Sequence, residues 1–229
     1  MAFRGRDGGA IERPLPAGPI SRLEPDPRHA GSVRVYIERT LYCTVPQETI
    51  AAERLSVGRQ LDAELHERLG TAAEADAAHR VVIRTLERSG AARRDLERRL
   101  IRRGHAREAA SAALERAERA GLIDDEAFAQ HYVQTRATRG RGPVRLVRDL
   151  LARGVARDVA ERAVAEQWPE GPDHEAVAAL ARKRAGQLGD LPRPVLRRRL
   201  LAFLARRGYG GHEAVQAVAD ILRSAGSAA

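Results

Sequence analysis

Few residues in this 229-residue chain combine the types and spacing that chemistry needs. His212-Glu213 opens like the helical zinc-protease motif, but position 216 is Gln, so the second histidine ligand is missing. His105, His131 and His174 have no histidine, cysteine or carboxylate set at ligand spacing around them. Gly140-x-Gly142-Pro143 is not a phosphate-cradling loop, because Pro143 lacks an N–H and no strand precedes it. There is no Gly-x-Ser-x-Gly and no Walker A sequence. Cys43, the single cysteine, excludes a disulfide framework or CxxC zinc site and reads as a small core residue rather than a nucleophile. The adjacent acids Asp124 and Asp125 suggest metal binding or acid–base work, but helix capping explains them more cheaply. Gly121 ends one helix, Asp124 N-caps the next, and Asp125 and Glu126 complement its positive end. Ile123 before the cap and Phe128 inside the helix would form a hydrophobic staple. The sequence therefore predicts no enzyme, no cofactor and no metal.

The residues left to carry function are arginines. The chain has 40 Lys and Arg against 31 Asp and Glu, a net charge of +9, and Lys183 is its only lysine. Net charge by segment is +1 over 1–31, −3 over 32–77, +6 over 78–122, 0 over 123–170 and +5 over 171–229. The guanidinium fork suits phosphate and carboxylate. An Ala- and Arg-rich composition is also what a GC-rich genome produces, so abundance alone assigns no role. Aromatics at 3% argue against base-stacking RNA modules and against a β-sandwich, and leave a core of Leu, Val, Ile and Ala. No apolar run is long enough for a membrane span and the N-terminus lacks a secretory apolar stretch, which predicts a soluble cytoplasmic protein.

The elements that must position these arginines come from periodicity. Residues 1–31, with Pro14, Pro16, Pro19, Pro25 and Pro27, predict a disordered tail that is dispensable for folding. Val33, Val35 and Ile37 alternate with Arg34, Tyr36 and Glu38, and Leu41, Cys43 and Val45 continue the alternation after a short turn, which predicts a β-hairpin. LDAELHERLG reads as a helix closing at Gly70, so 32–75 is a hairpin-plus-helix extension. An internal repeat then dominates: Leu96, Leu100 and Gly104 recur as Leu146, Leu150 and Gly154, and as Leu200, Leu204 and Gly208. Each glycine is placed to end its helix in a left-handed conformation, after Arg103, Arg153 and Arg207 at the negative end of the dipole. Each repeat holds three helices: 76–88, 92–103 and 106–120; 124–138, 143–153 and 156–167; 173–187, 194–207 and 211–224. The modules are 76–122, 123–170 and 171–226, and the fold class is mainly α, an elongated array of three three-helix repeats.

Leu96, Leu100 and Ile101 mark the buried side of the first middle helix, so Arg94, Arg98 and Arg102 form an outward stripe. Arg198 and Arg206 are their equivalents in the third repeat and Arg148 in the second, which predicts one basic track.

The chain resembles the RecX family, regulators of the RecA recombinase, through the corner GLIDDEAFA and the elements RRDLERRLIRRGH and RGPVRLVRDLLARGV. VRVYIERTLYCTV and LDAELHERLG resemble the family's N-terminal extension, and the likeness covers about 32–224. The third repeat departs most, with a longer connection, GQLGDLPRP, and an extra residue before its last helix. The resemblance implies a non-enzymatic protein that lies in the groove of the RecA–DNA filament, and a monomer is expected. It implies suppression of ATPase, strand exchange and coprotease activity, and so a part in homologous recombination, DNA repair and the SOS response. Single- and double-stranded DNA would be bound weakly through phosphates. The residues alone leave two alternatives open, a sequence-nonspecific DNA-binding module and an adaptor for another acidic protein.

Overall fold

The computed structural model describes residues 2–4, 10–12 and 15–226. They form two compact units, residues 1–124 and 125–229.

The first unit begins with β1 (Ala2–Arg4) and β2 (Ala10–Glu12), paired antiparallel with Phe3 opposite Ile11. A second sheet has the order β3 (Ile20–Pro25), β4 (Ser32–Ile37), β5 (Thr40–Pro46), antiparallel throughout. The expected hairpin is β4–β5, and its turn is made possible by Glu38, which takes a φ of 53°. The register shifts between Val35–Cys43 and Tyr36–Leu41, leaving Tyr42 as the extra residue. This bulge reverses the facing expected for one side chain: Tyr42 is buried and Leu41 is 41% exposed. The tail reading is corrected at β1 and β2 and again from residue 20 onward. Ile20–Pro25 is an edge strand, where the proline at its end removes no ladder bond the sheet needs. Ile20 is 1% exposed in the core with Val35, Ile37 and Val45, and its N–H and C=O bond to Arg59 and Gly58. The rest of the tail reading, at residues 1, 5–9, 13 and 14, lies outside the described residues.

After the short α1 (Gln47–Ala52), α2 runs unbroken from Ala63 to Arg88. Asp62 caps it, its side chain accepting from the Leu65 N–H at 2.7 Å. The expected stop at Gly70 is absent. A glycine ends a helix by adopting positive φ, and Gly70 keeps helical backbone, buried beside Leu69. The extension and the first repeat therefore share one helix. Its first half packs Leu65 and Leu69 on the sheet core, and its second half packs Ala78, Val81 and Val82 on α3 (Arg93–Arg102) and α4 (Arg107–Arg119). Between the halves lies Asp76, 1% exposed, which accepts from Ser32 Oγ at 2.9 Å and from Arg116 at 3.2 Å and pairs with Arg80.

The second unit contains α5 (Asp125–Ala137), α6 (Pro143–Arg153) and α7 (Arg157–Gln167), then α8 (His174–Leu188), α9 (Arg193–Arg207) and α10 (His212–Gly226). Pro143 opens α6 and Pro194 lies in the first turn of α9, where a missing N–H costs little. Val177, Ala178 and Ala181 of α8, Leu200 and Leu204 of α9, and Ala217 and Val218 of α10 close one core.

The repeated Leu-x-x-x-Leu is buried each time: Leu96, Leu100, Leu146, Leu150, Leu200 and Leu204 are all at most 1% exposed. Each fully buried leucine is worth about 1.5–3 kcal/mol. Gly104, Gly154 and Gly208 have φ of 81°, 91° and 93°. In all three turns the following residue donates back: His105 to the Leu100 carbonyl, Val155 to Leu150 and Tyr209 to Leu204, at 3.1, 3.1 and 3.0 Å.

Candidate functional site

The middle helices α3, α6 and α9 present the arginines, and their buried leucines decide which point outward. Four-residue spacing from position 94 gives Arg94, Arg98 and Arg102 on α3; the equivalents are Val144, Arg148 and Ala152 on α6, and Arg198, Ala202 and Arg206 on α9. All nine are exposed. The six expected arginines thus stand on the outward faces of their helices, three in each unit. Ile101 does not share the buried side: it is 38% exposed, because one residue beyond Leu100 turns about 100° around the helix.

Ion pairing separates these side chains from structural arginines that composition could not distinguish. Arg93 bonds Glu118 at 2.6 Å, tying α3 to α4. Arg141 and Arg145 both bond Asp149, at 2.5 and 3.1 Å. Arg98 makes an exposed contact of 3.6 Å with Asp95, a class of pair that contributes little. Among the described residues no carboxylate pairs with Arg94, Arg102, Arg148, Arg198 or Arg206. Helix α9 carries no acidic residue, so its outward charge is unopposed along its own length.

Two of the three arginines that precede these glycines, Arg153 and Arg207, stand in the last turn of their helices as expected and also make contacts beyond them. Arg207 reaches back to the carbonyls of Arg139 and Gly140, both at 3.2 Å, and its guanidinium lies 4.9 Å from the Phe203 ring centroid. Arg153 packs over Tyr132 at 5.0 Å. Within the second unit the start of α6 meets the end of α9. Gly142 N–H donates to the Arg207 carbonyl at 2.7 Å, Val144 N–H to Gly208 at 3.3 Å, and the Arg145 side chain to Arg206 at 3.3 Å. Unpaired N–H groups of one helix thus satisfy unpaired carbonyls of another, with dipole ends of opposite sign in contact. The Gly140–Gly142 segment holds a helix end, not a phosphate.

Asp124 immediately precedes α5, and Asp125 and Glu126 occupy its first turn. Ile123 packs with Leu86 and Ala91 against the α2–α4 core, and Phe128 lies 5.9 Å from Tyr132 on α5. No group of three or more His, Cys, Asp or Glu among the described residues is arranged to hold a metal. No described helix is long and apolar enough to cross a membrane.

Sequence reasoning missed one feature of the second unit. A cleft of about 650 Å³ gathers Arg139, Lys183, Arg184 and Arg207 with Leu180 and Phe203. These come from three separate stretches, so no local spacing announces them.

Glycine-ended three-helix modules with a buried leucine pair in each middle helix define a helical-repeat protein. Residues 124–164 match the family profile "RecX, second three-helix domain", and residues 172–218 match "RecX, third three-helix domain". The "Regulatory protein RecX" of Amycolatopsis mediterranei is 36% identical over 121 residues, 52% of this chain and 69% of that protein. That of Streptomyces coelicolor is 39% identical over 121 residues, 52% of this chain and 63% of that protein. A crystal structure of regulatory protein RecX superposes with a TM-score of 0.71 at 21% identity, covering 90% of this chain and 98% of that one. RecX from Lactobacillus salivarius gives a TM-score of 0.56 at 18% identity, covering 66% and 97%. The chain belongs to the RecX family of regulatory proteins.

Proposed function

We propose that the chain binds the RecA–DNA filament as a cytoplasmic monomer. It damps the recombinase's ATPase, strand exchange and coprotease activity without chemistry of its own, moderating recombinational repair and the SOS response. The reading is carried by the outward faces of α3 in the first unit and of α6 and α9 in the second: Arg94, Arg98, Arg102, Arg148, Arg198 and Arg206 are exposed, and five of them have no carboxylate partner among the described residues. Those five can pair with a partner's carboxylates or with phosphates without first breaking an internal ion pair. The relatives' name, regulatory protein, supports a role in control rather than catalysis.

The test is the DNA-dependent ATPase of the cognate RecA with increasing amounts of this protein. The expected result is a falling rate with wild type and a much weaker effect with the double variant Arg98→Glu, Arg148→Glu at unchanged helicity. An unchanged rate at stoichiometric excess of wild type would overturn the reading. A folded double variant that inhibits like wild type would remove the arginine stripe from it.

A further inference from the structure

The cleft in the second unit has a composition the filament reading does not use. One face of α8 supplies Ala176, Ala179 and Leu180, then Lys183, Arg184 and Gln187, so this stripe turns from apolar to cationic in about two turns. Arg139 closes one side from the α5–α6 connection and Arg207 another from the end of α9. Four cations border the cleft and no Asp or Glu does. Among the described residues none of the four is paired with a carboxylate.

Two of these cations are fixed in advance. The Phe203 ring has the guanidinium of Arg207 at 4.9 Å and that of Arg184 at 5.7 Å from its centroid. Arg207 is further held by the carbonyls of Arg139 and Gly140, and Arg184 by Gln187 at 3.0 Å. Gly140 is required here: a Cβ would stand 2.9 Å from Arg207 Nη1 and 3.0 Å from Leu180 Cδ2, at a φ of 70°. The fourth cation is the only lysine of the chain, exposed, in a protein whose other 39 basic side chains are arginine (40 Lys and Arg less one Lys). Its ammonium is a compact point charge with three rotatable donors.

We propose that this cleft holds a nucleotide of a single-stranded nucleic acid, its phosphate met by Lys183 and the surrounding arginines and its base laid on the apolar lining. The inference rests on nucleic acid being a partner of the chain, and it assigns that contact to residues other than the outward arginines of α3, α6 and α9. The volume lies within the range of sites that enclose small organic groups. Apolar surface beside fixed cations matches a base beside its phosphate better than it matches a run of acidic side chains.

The sole lysine makes the test specific. Lys183 is acetylated with an amine-directed reagent, and its modification rate is read by mass spectrometry with oligothymidylate, ATP or polyglutamate present. Oligothymidylate is expected to slow the reaction several-fold, with ATP and polyglutamate at matched charge protecting much less. In a parallel binding titration, Lys183→Gln is expected to lower the salt slope of oligothymidylate binding by about 0.7, the value for one lost single-strand phosphate contact. Protection by polyglutamate but not by oligothymidylate would assign the cleft to an acidic protein segment and overturn the proposal. So would protection by ATP alone, no protection at all, or an unchanged salt slope in a folded Lys183→Gln protein. If Lys183 reacts at full rate while the protein still inhibits the recombinase, the cleft assignment fails and the filament reading stands.

Discussion

Replacing Gly208 by alanine should test the joint between α6 and α9 more sharply than any change of charge. A Cβ at this position would lie 2.3 Å from Arg145 Cβ and 2.4 Å from Arg145 N, on a backbone held at a φ of 93°. Two effects add. The left-handed conformation costs a non-glycine residue about 1–2 kcal/mol. The clash is with backbone, so the start of α6 must move, weakening the Gly142–Arg207, Val144–Gly208 and Arg145–Arg206 bonds at about 1 kcal/mol each. The total expected loss is about 4 kcal/mol. Gly121 supplies the control: it ends α4 in the same kind of turn, with Leu122 N–H donating to Ala117 at 2.9 Å and a φ of 68°, but nothing lies within 4 Å of its Cβ site. Gly121→Ala should therefore cost only the conformational part, about 1–2 kcal/mol. Urea unfolding followed by circular dichroism compares the two, and fluorescence of Trp168, the only tryptophan, follows the second unit alone. If Gly208→Ala proves no more costly than Gly121→Ala, the helix-end contact contributes nothing and the reasoning fails.

Other outcomes follow from the same geometry. Asp76→Ala leaves Arg80 and Arg116 facing a buried gap and should cost about 3–5 kcal/mol in urea unfolding; a loss under about 1 kcal/mol would mean that water replaces the carboxylate freely. Gly186→Ala, on α8 with open space at its Cβ site and no positive φ, should stabilise by about 0.5 kcal/mol. Removing residues 1–31 deletes β3 and uncovers the core around Ile20, so a clear fall in melting temperature is expected; an unchanged value would show that β4–β5 stands without it. Burial, then the Arg116 charge, holds His79 below the ordinary histidine value of 6.5, so the unfolded chain takes up the proton first. Stability from this group is complete above 6.5 and is lost as pH falls through the folded pKa; an NMR titration placing His79 at or above 6.5 would contradict it.

The contrast between what was readable in the sequence and what was not has physical causes. The three leucine pairs and their glycines were legible because helical period and left-handed caps are local properties: Leu146, Leu150 and Gly154 signal their roles within nine residues. The outward arginines followed from the same period. Ile101 failed because an apolar residue at a stripe's edge looks like one inside it. Gly70 failed because a glycine's type does not reveal its φ, which the packing on both sides of α2 decides. Strand β3 was hidden by prolines that border it without interrupting its ladder. The cleft was illegible because the α5–α6 connection, α8 and the end of α9 meet only in the folded unit. The uniqueness of Lys183 was visible all along, but its surroundings were not.

The continuity of α2 has a consequence for how this chain can change over time. Every residue added to a helix rotates all that follows by about 100° and advances it by about 1.5 Å. Because the sheet core grips Leu65 and Leu69 while the α3–α4 core grips Val81 and Val82, the two are locked in angular phase. A single insertion between Gly70 and Ala75 would swing one apolar stripe away from its core and carry Asp76 off Ser32. Insertions in the connections between the later helices rotate no helix against itself. Length variation tolerated by this architecture should therefore fall in its loops, and within α2 only in steps near a whole number of turns.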